Sequence, residues 1–333
     1  MTSLRKLRTW HYTDRIQRVG LFDAWPSYPK QTAWVTQTRR NSLFLGAIGA
    51  GKTRALVMKA ILWSLIHGDG QVGAVLARTG RDTLQTILPT FYELLAQYQE
   101  ATGVPLLRNF VRSEMRADME GGGSILFRPY GESVDRLRGL NLAWAGIDEI
   151  EYARNDPRYV WDVVSGRVRT GDPTRRAVFA ATTPNGMRGI VAHFVEKQSQ
   201  EDPHYYVAHA TIFDNPWLAD GYPCPDCDGG GCDRCGETGE ASEFRDAVRA
   251  SSSRRYFEQD GLGRVLKPVA GVFGSYDTER HVIDWEWDND LPFVLGIDWG
   301  ESVAVALMIQ VVDRFDHEYP PGTWIVCEEL VLT

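Results

Sequence analysis

Three groups of residues carry chemistry by their type and spacing. Gly46-Ala-Ile-Gly-Ala-Gly-Lys-Thr53 sets glycines at 46, 49 and 51 ahead of a lysine and a hydroxyl. Such a run lets successive backbone N–H groups curl around phosphate oxygens, with Lys52 reaching the β/γ-phosphates and Thr53 offering a Mg²⁺ ligand. Asp148-Glu149 follows the apolar run Leu142–Ile147. There the first acid would hold Mg²⁺, directly or through water, and the second would polarise an attacking water. Cys224-x₂-Cys227-x₄-Cys232-x₂-Cys235 puts two thiol pairs on two tight turns, the spacing of a closed tetrahedral Zn²⁺ site. In an intracellular chain this reading ranks above disulfides or free thiols, and a closed shell makes the metal structural, not catalytic. The fifth cysteine, Cys327, sits in an apolar strand and reads as a core residue.

These groups need elements that position them. Ser42–Leu45 reads as a buried strand, and the helical pattern Arg54–Leu65 follows the glycine-rich turn, so the helix adds its positive N-terminal end to the phosphate site. Val72–Ala77 reads as a second strand, followed by a helix with apolar positions from Leu84 to Leu95; Gly121–Gly123 opens a hairpin-like stretch into Ser124–Arg128. Strand, loop and helix repeating in this way predict an α/β fold, a P-loop NTPase with a parallel sheet flanked by helices. Leu142–Ile147 would deliver Asp148 and Glu149 at the sheet edge where such folds bind ligands. A further strand, Ala177–Ala181, runs into Thr182-Thr183-Pro184-Asn185-Gly186. Those hydroxyls could change partners when a phosphate leaves, or they are ordinary members of a Pro-Asn-Gly turn. Gln31 is either an amide that pairs with an adenine edge or an exposed polar residue. Past the cysteines, Glu243–Gln259 reads as one polar helix and Gly261–Gly274 as a linker to a second domain.

Composition bounds the answer. A chain of 333 residues allows about two domains. With 43% hydrophobic residues it can build real cores, which excludes a disordered chain. The basic N-terminus lacks the apolar segment of a secretory signal, and no apolar run approaches membrane-spanning length, so the expected setting is soluble, intracellular and away from membranes. The net charge of −8 is uneven: residues 1–60 carry +9 and the remainder −17. The basic front end suits a polyanion partner or a solvated face; the chain as a whole is not a uniformly basic nucleic-acid coat.

Taken in order, GAIGAGKT, Arg136-Leu-Arg138-Gly, the strand ending Ile147-Asp148-Glu149, Ala181-Thr-Thr-Pro-Asn-Gly186, Asp214-Asn-Pro-Trp-Leu218, Gln259-Asp-Gly-Leu-Gly-Arg264 and Phe293-Val-Leu-Gly-Ile-Asp-Trp-Gly300 resemble the large terminase subunit of tailed bacteriophages. That family is an ATP-driven motor and nuclease that packages double-stranded DNA. The resemblance implies that Gly46, Gly49, Ala50, Gly51, Lys52, Thr53 and Gln31 serve ATP, that Asp148 holds Mg²⁺, that Glu149 is catalytic, and that Thr182 and Thr183 couple hydrolysis to movement. It also implies that Arg138, or less directly Arg136, acts on a neighbouring subunit's ATP. Many relatives carry an arginine inside the P-loop where this chain has Ile48, so charge compensation must come from elsewhere. Partners implied are double-stranded DNA, a small terminase subunit, the portal protein and further copies in a ring, all in the host cell cytoplasm.

The resemblance also organises the C-terminal part. Strands at Phe293–Ile297, Ala304–Val312 and Trp324–Leu332 resemble the opening of a ribonuclease H-like α/β nuclease, with Asp298 its first Mg²⁺ or Mn²⁺ ligand and Glu328 or Glu329 a candidate second. Two-metal cleavage needs several converging carboxylates, and only 35 residues follow Asp298, so the expectation is a partial nuclease domain that does not cut DNA by itself. The domain reading is residues 1–40 as a basic, adenine-side segment; 41–218 as the ATPase core; 219–240 as the zinc insert; 241–275 as helix and linker; and 276–333 as the partial nuclease. The insert's task stays open among DNA contact, subunit contact and loop stapling. The competing reading is a P-loop switch or assembly module without nuclease activity, whose zinc insert binds a partner.

Overall fold

Short runs of small and branched apolar residues, nearly free of charge, form strands buried on both faces. The computed structural model describes residues 20–68, 70–131, 133–266, 281–299 and 304–332. The chain divides into two units, Met1–Pro268 and Val269–Thr333. Residues 1–19, with Trp10 and Tyr12, and most of the expected linker at 261–274 lie outside the described residues.

In the first unit α1 (Leu21–Ala24) and α2 (Pro29–Thr36) lead into β1 (Asn41–Gly46) and α3 (Lys52–His67). Next come β2 (Val72–Ala77), a π-type turn at Thr83–Ile87, and α4 (Leu88–Thr102). The edge strands β3 (Leu107–Val111) and β4 (Arg116–Met119) precede β5 (Ser124–Pro129) and β6 (Trp144–Asp148). The unit continues with α5 (Pro157–Ser165), β7 (Ala177–Thr182), α6 (Gly189–Ser199), β8 (Tyr205–Ala210) and α7 (Glu243–Ser251). These make one eight-stranded sheet in the order β3-β4-β5-β2-β6-β7-β1-β8. It is parallel from β5 to β8, as expected, but antiparallel through β3, β4 and β5, because the Gly121–Gly123 turn folds β5 back on β4. The continuous polar helix expected over Glu243–Gln259 is broken: α7 stops at Ser251, and Ser253 caps a new turn that passes into a π-type turn at Phe257–Gly261.

Successive side chains of a strand face opposite sides, and here both sides are apolar, the mark of a sheet covered on both faces. Phe44, Val75, Trp144 and Phe179 pack with α2, α3 and α4. Leu43, Leu76, Ile147 and Ala180 pack with α5 and α6. The first layer contains an aromatic ladder. Gly73 on β2 pairs with Trp144 on β6, and Gly146 on β6 pairs with Phe179 on β7. A Cβ on Gly73 would stand 1.9 Å from Trp144 Cε2, so each ring occupies the space its paired glycine leaves. Trp144 and Phe179 stack at 5.7 Å, and Trp34 and Trp63 close on Phe179 from the helices.

The second unit holds an antiparallel sheet, β11-β10-β9, with β9 at Phe293–Trp299, β10 at Ala304–Val311 and β11 at Trp324–Leu332. Its small core is Leu291, Val312 and Ile325, with Cys327 packed against it. Buried Gln310 pins the preceding segment, accepting from Trp285 Nε1 and Asp288 N at 3.0 Å each. Among the described residues no helix is long and apolar enough to cross a membrane.

Lys59 fixes α2, the element that carries Gln31. Its fully buried amine donates to Trp34 O at 2.6 Å and Gln37 O at 2.8 Å at the end of α2, where Trp34 O also accepts from Gln37 N at 3.2 Å. Burial pushes the amine well below its ordinary value. Lys59→Met should remove the donor to both carbonyls, leaving Gln37 O without its amine partner, and lower unfolding free energy by roughly 1–3 kcal/mol in urea titrations. Unchanged stability would show that the amine is not the tie.

Candidate active site

β1 ends at Gly46 and α3 starts at Lys52, so the intervening residues must turn a buried strand into a helix within a tight loop. The loop is held from several sides. Ala47 N donates to Ala210 O of β8 at 2.9 Å, and Ile48 N to Asp260 O at 2.6 Å. The Tyr28 hydroxyl donates to Ala50 O at 2.6 Å. Gln31 Nε2 donates to Gly51 O at 3.1 Å. Gln31 is therefore not an exposed polar residue: it is 1% exposed, its amide nitrogen braces the loop backbone, and it is not among the residues lining the cleft described below.

The sheet order brings the acidic pair to this loop. β7 lies between β1 and β6, so the ends of all three parallel strands open on one edge. A continued strand would send Asp148 and Glu149 to opposite faces. Instead β6 stops at Asp148, and Glu149 takes a left-handed conformation, φ 50° and ψ 47°. Both carboxylates then line one cleft of about 550 Å³, shared with Gly49, Lys52, Thr53 and Thr183. A left-handed residue with a side chain is strained and persists only when its surroundings hold it. Here Tyr130 Oη lies 2.9 Å from both the Asp148 and Glu149 carbonyl oxygens, and Glu149 N donates to Ala181 O at 2.7 Å.

Inside the cleft, Lys52 Nζ donates to Ala47 O at 3.0 Å and lies 3.5 Å from Glu149 Oε1. Thr53 Oγ1 is 3.3 and 3.4 Å from the two Asp148 oxygens. Glu149 Oε2 accepts from Thr183 N at 3.1 Å and lies 3.3 Å from Thr182 Oγ1. Thr182 is buried and lies behind the cleft; its hydroxyl also accepts from Glu151 N at 3.2 Å. Burial, then the charge of Glu149, push the Asp148 carboxyl up to about 7, against the pull of Lys52 and Thr53. A buried acid beside a second acid and a threonine hydroxyl is a fitting place for a divalent cation, which would favour the ionised form.

Several lining residues were not legible from spacing. Arg78, whose Nε is 3.4 Å from Asp82 Oδ2, reaches the cleft from the loop after β2. Tyr256 and Asp260 come from the turn beyond α7, more than 200 residues after the loop they face. The only available signals were Arg78 at a strand end and Asp260 within the Gln259–Arg264 segment. Arg138 does not line the cleft. It is exposed on the turn Val134–Gly139, with Nε on Asp135 at 2.6 Å and Nη2 on the Tyr159 hydroxyl at 2.9 Å. Asp298 belongs to the second unit, where its backbone pairs with Val305; its side chain lies outside the described residues.

The four cysteines form a separate cluster. Their sulfurs all lie within 4.8 Å of one another, with Cys224–Cys232 at 3.9 Å, Cys227–Cys235 at 3.8 Å and Cys232–Cys235 at 3.8 Å. These are not disulfides. A tetrahedral ion bonded to sulfur at about 2.3 Å has sulfur–sulfur edges of about 3.8 Å, so the thiols already stand at the corners a metal would use. It is the only group of three or more His, Cys, Asp or Glu side chains disposed for a metal among the described residues.

A family model described as phage terminase large subunit matches residues 39–223. Among solved structures, the chain is similar to the large terminase of a thermophilic bacteriophage in complex with ADP, with 16% identity and a TM-score of 0.55 over 92% of this chain and 68% of that one. It is similar to the large terminase ATPase domain of Thermus phage P74-26, with 16% identity and a TM-score of 0.51 over 74% of this chain and 97% of that one. The HK97 bacteriophage large terminase matches at 11% identity and a TM-score of 0.50, over 97% of this chain and 63% of that one. At these identities the structural likeness speaks for the fold. No curated protein matches the sequence.

The raised Asp148 carboxyl has a measurable consequence in protein free of nucleotide and divalent cations. The folded state keeps a proton that the unfolded chain releases near pH 4, so stability falls as pH rises toward about 7 and levels above it. Asp148→Asn should remove this share and stabilise the apo protein at pH 8 by on the order of 2–4 kcal/mol, with little gain at pH 4. Glu151, also pushed up to about 7 by burial, keeps its own slope in the variant. Urea unfolding at both pH values measures the difference, and an equal effect at the two would refute the assignment.

Proposed function

Because this chain belongs to the phage terminase large subunit family, we propose that it is the ATP-hydrolysing motor subunit that drives double-stranded DNA into a procapsid. The observation that carries this reading is the convergence of the glycine-rich loop, Asp148, Glu149 and Thr183 on one cleft. The ADP bound by the thermophilic phage's large terminase marks the class of ligand for that cleft. Backbone N–H groups from Gly46 to Gly51 cradle the phosphates, and Lys52 exchanges Ala47 O for the β- and γ-phosphate oxygens. Thr53 and Asp148 hold Mg²⁺, which supplies charge neutralisation at the phosphates. Glu149 orients and deprotonates the attacking water.

Charge compensation is assigned to two arginines. Arg78 acts within the same chain from the cleft wall, in place of the arginine that Ile48 displaces. Arg138 acts on the ATP of a neighbouring copy, an assignment that suits its exposed position better than a role in its own cleft. Thr182 and Thr183 report the state of Glu149, because movement of that carboxylate breaks both contacts at the end of β7. Partners under this reading are DNA, a small terminase subunit, a portal and other copies in a ring, in the host cytoplasm. The cysteine cluster binds one structural Zn²⁺. The second unit is read as the opening of a ribonuclease H-like nuclease, with Asp298 as a metal ligand. Glu328 or Glu329 on β11 is the candidate second ligand.

Glu149→Gln should retain ATP binding and lose about 10²–10⁴-fold in turnover, as removal of a general base does. Lys52→Ala should weaken binding as well. Arg78→Ala should slow turnover in isolated chains, whereas Arg138→Ala should slow it only in the assembled, DNA-stimulated state. Phosphate release and nucleotide titration read all four, and wild-type turnover by Glu149→Gln would overturn the reading.

A further inference from the structure

Arg245 on α7 is 3% exposed, yet its charge has little to answer it. Nη2 donates to Asn215 O at 3.0 Å and the guanidinium lies over the Phe213 ring at 5.6 Å, but Nε and Nη1 have no hydrogen-bond partner among the described residues. Arginine does not shed its proton, so a buried guanidinium needs an anion. The nearby carboxylates are poorly placed for this. Asp246 is taken by Arg234 at 2.6 Å, Asp220 accepts Glu243 N at 2.6 Å, and Glu240 is exposed. The crevice that Arg245 lines also holds Glu240, Asp246 with its partner Arg234, and Cys224 and Cys235 of the cysteine cluster; with Glu240 exposed and Asp246 already paired, the two cysteines are the buried groups left to answer the charge. Four neutral thiols would supply no counter-charge. Four thiolates around one divalent ion carry a net charge of about −2, spread over sulfurs that accept N–H donors.

The same arginine leads to the phosphate loop. Asn215, whose carbonyl Arg245 holds, donates its own Nδ2 to Gly49 O at 2.7 Å. Gly49, at φ 72°, lies so close to Leu218 and to Phe244 of α7 that a Cβ would stand 2.9 and 3.1 Å from them. On the cluster side Arg234 grips Asp246, and Arg249 Nη1 donates to Asp233 O at 3.1 Å. α7 is thus clamped between the cysteine cluster and the loop.

We infer that the metal-loaded cysteine cluster is a positioning device for the nucleotide site: its anionic centre balances buried Arg245, which through Asn215 fixes the Gly49 carbonyl and the shape of the phosphate loop. The inference rests on the metal-site and nucleotide-site readings above. Arg245 and Asn215 are positioning residues, distant from the reacting atoms.

The test uses the full chain, zinc as the metal and a non-hydrolysable ATP analogue as the probe. Purified protein should carry about one Zn²⁺. Stripping it with a chelator should weaken analogue binding about tenfold, with recovery on adding Zn²⁺ back. Arg245→Met and Asn215→Ala should keep the zinc, raise KM several-fold and change kcat less. Arg245→Lys should recover part of the loss. Stripping zinc from Arg245→Met should then cost little more, because the connection is already cut. Protein that carries no zinc and takes none up would remove the metal-site reading itself. Zinc-bearing protein whose analogue affinity is the same loaded and stripped, or an Arg245→Met variant with normal affinity and full sensitivity to stripping, would overturn the inference while leaving the metal site standing.

Discussion

Charge crowding at the end of β6 is the constraint on which the rest of the site depends. Two carboxylates enter one cleft beside a single loop lysine, and Asp148 is almost wholly buried there. The arrangement exists only because Glu149 is held in a left-handed turn by Tyr130 and by the end of β7. Neither the strain nor the repulsion serves stability. Both favour a cationic ligand set with phosphates attached, so the fold accepts a local cost that binding would relieve. The sheet order serves the same end. With β7 between β1 and β6, Thr182 and Thr183 touch the acidic residue directly.

What the sequence disclosed follows from how local each feature is. The glycine-rich loop, the acidic pair and the cysteine quartet are defined by spacing along the chain, and each stands on adjacent elements in the structure. The central strands were readable because their apolar runs are short and bounded. The outer strands β3, β4 and β8 were not, since Leu107–Val111 has no buried position and Tyr205–Ala210 mixes exposed, half-buried and buried ones. Gln31, Arg78 and Asp260 were missed or misjudged because their neighbours are far away in sequence. An isolated Gln gives no sign that a loop carbonyl awaits it. The single helix expected past the cysteines failed at Ser252-Ser253, where serine side chains compete for the backbone N–H groups and start a new turn.

The cysteine segment is also less of an appendage than its spacing suggests. A loop that merely stapled itself would show contacts within 219–240. Here Gly236 lies against Phe213, Arg234 reaches Asp246, and Asp233 O accepts from Arg249 Nη1, so the segment is built into the layer behind the phosphate loop. Its glycines at 229, 231, 236 and 239 all take positive φ, which explains a composition that looks like a linker.

The paired glycines and rings of the central sheet bear on how such a sequence can drift. Gly73 and Trp144 divide one volume between two neighbouring strands, and Gly146 and Phe179 divide the next. Enlarging either glycine alone collides with a ring, and shrinking either ring alone opens a void beneath α3. Viable histories must therefore trade bulk across the strand pair in linked steps. In a set of homologous sequences, positions 73 and 144, and positions 146 and 179, should exchange small for large together, while their combined volume stays nearly constant.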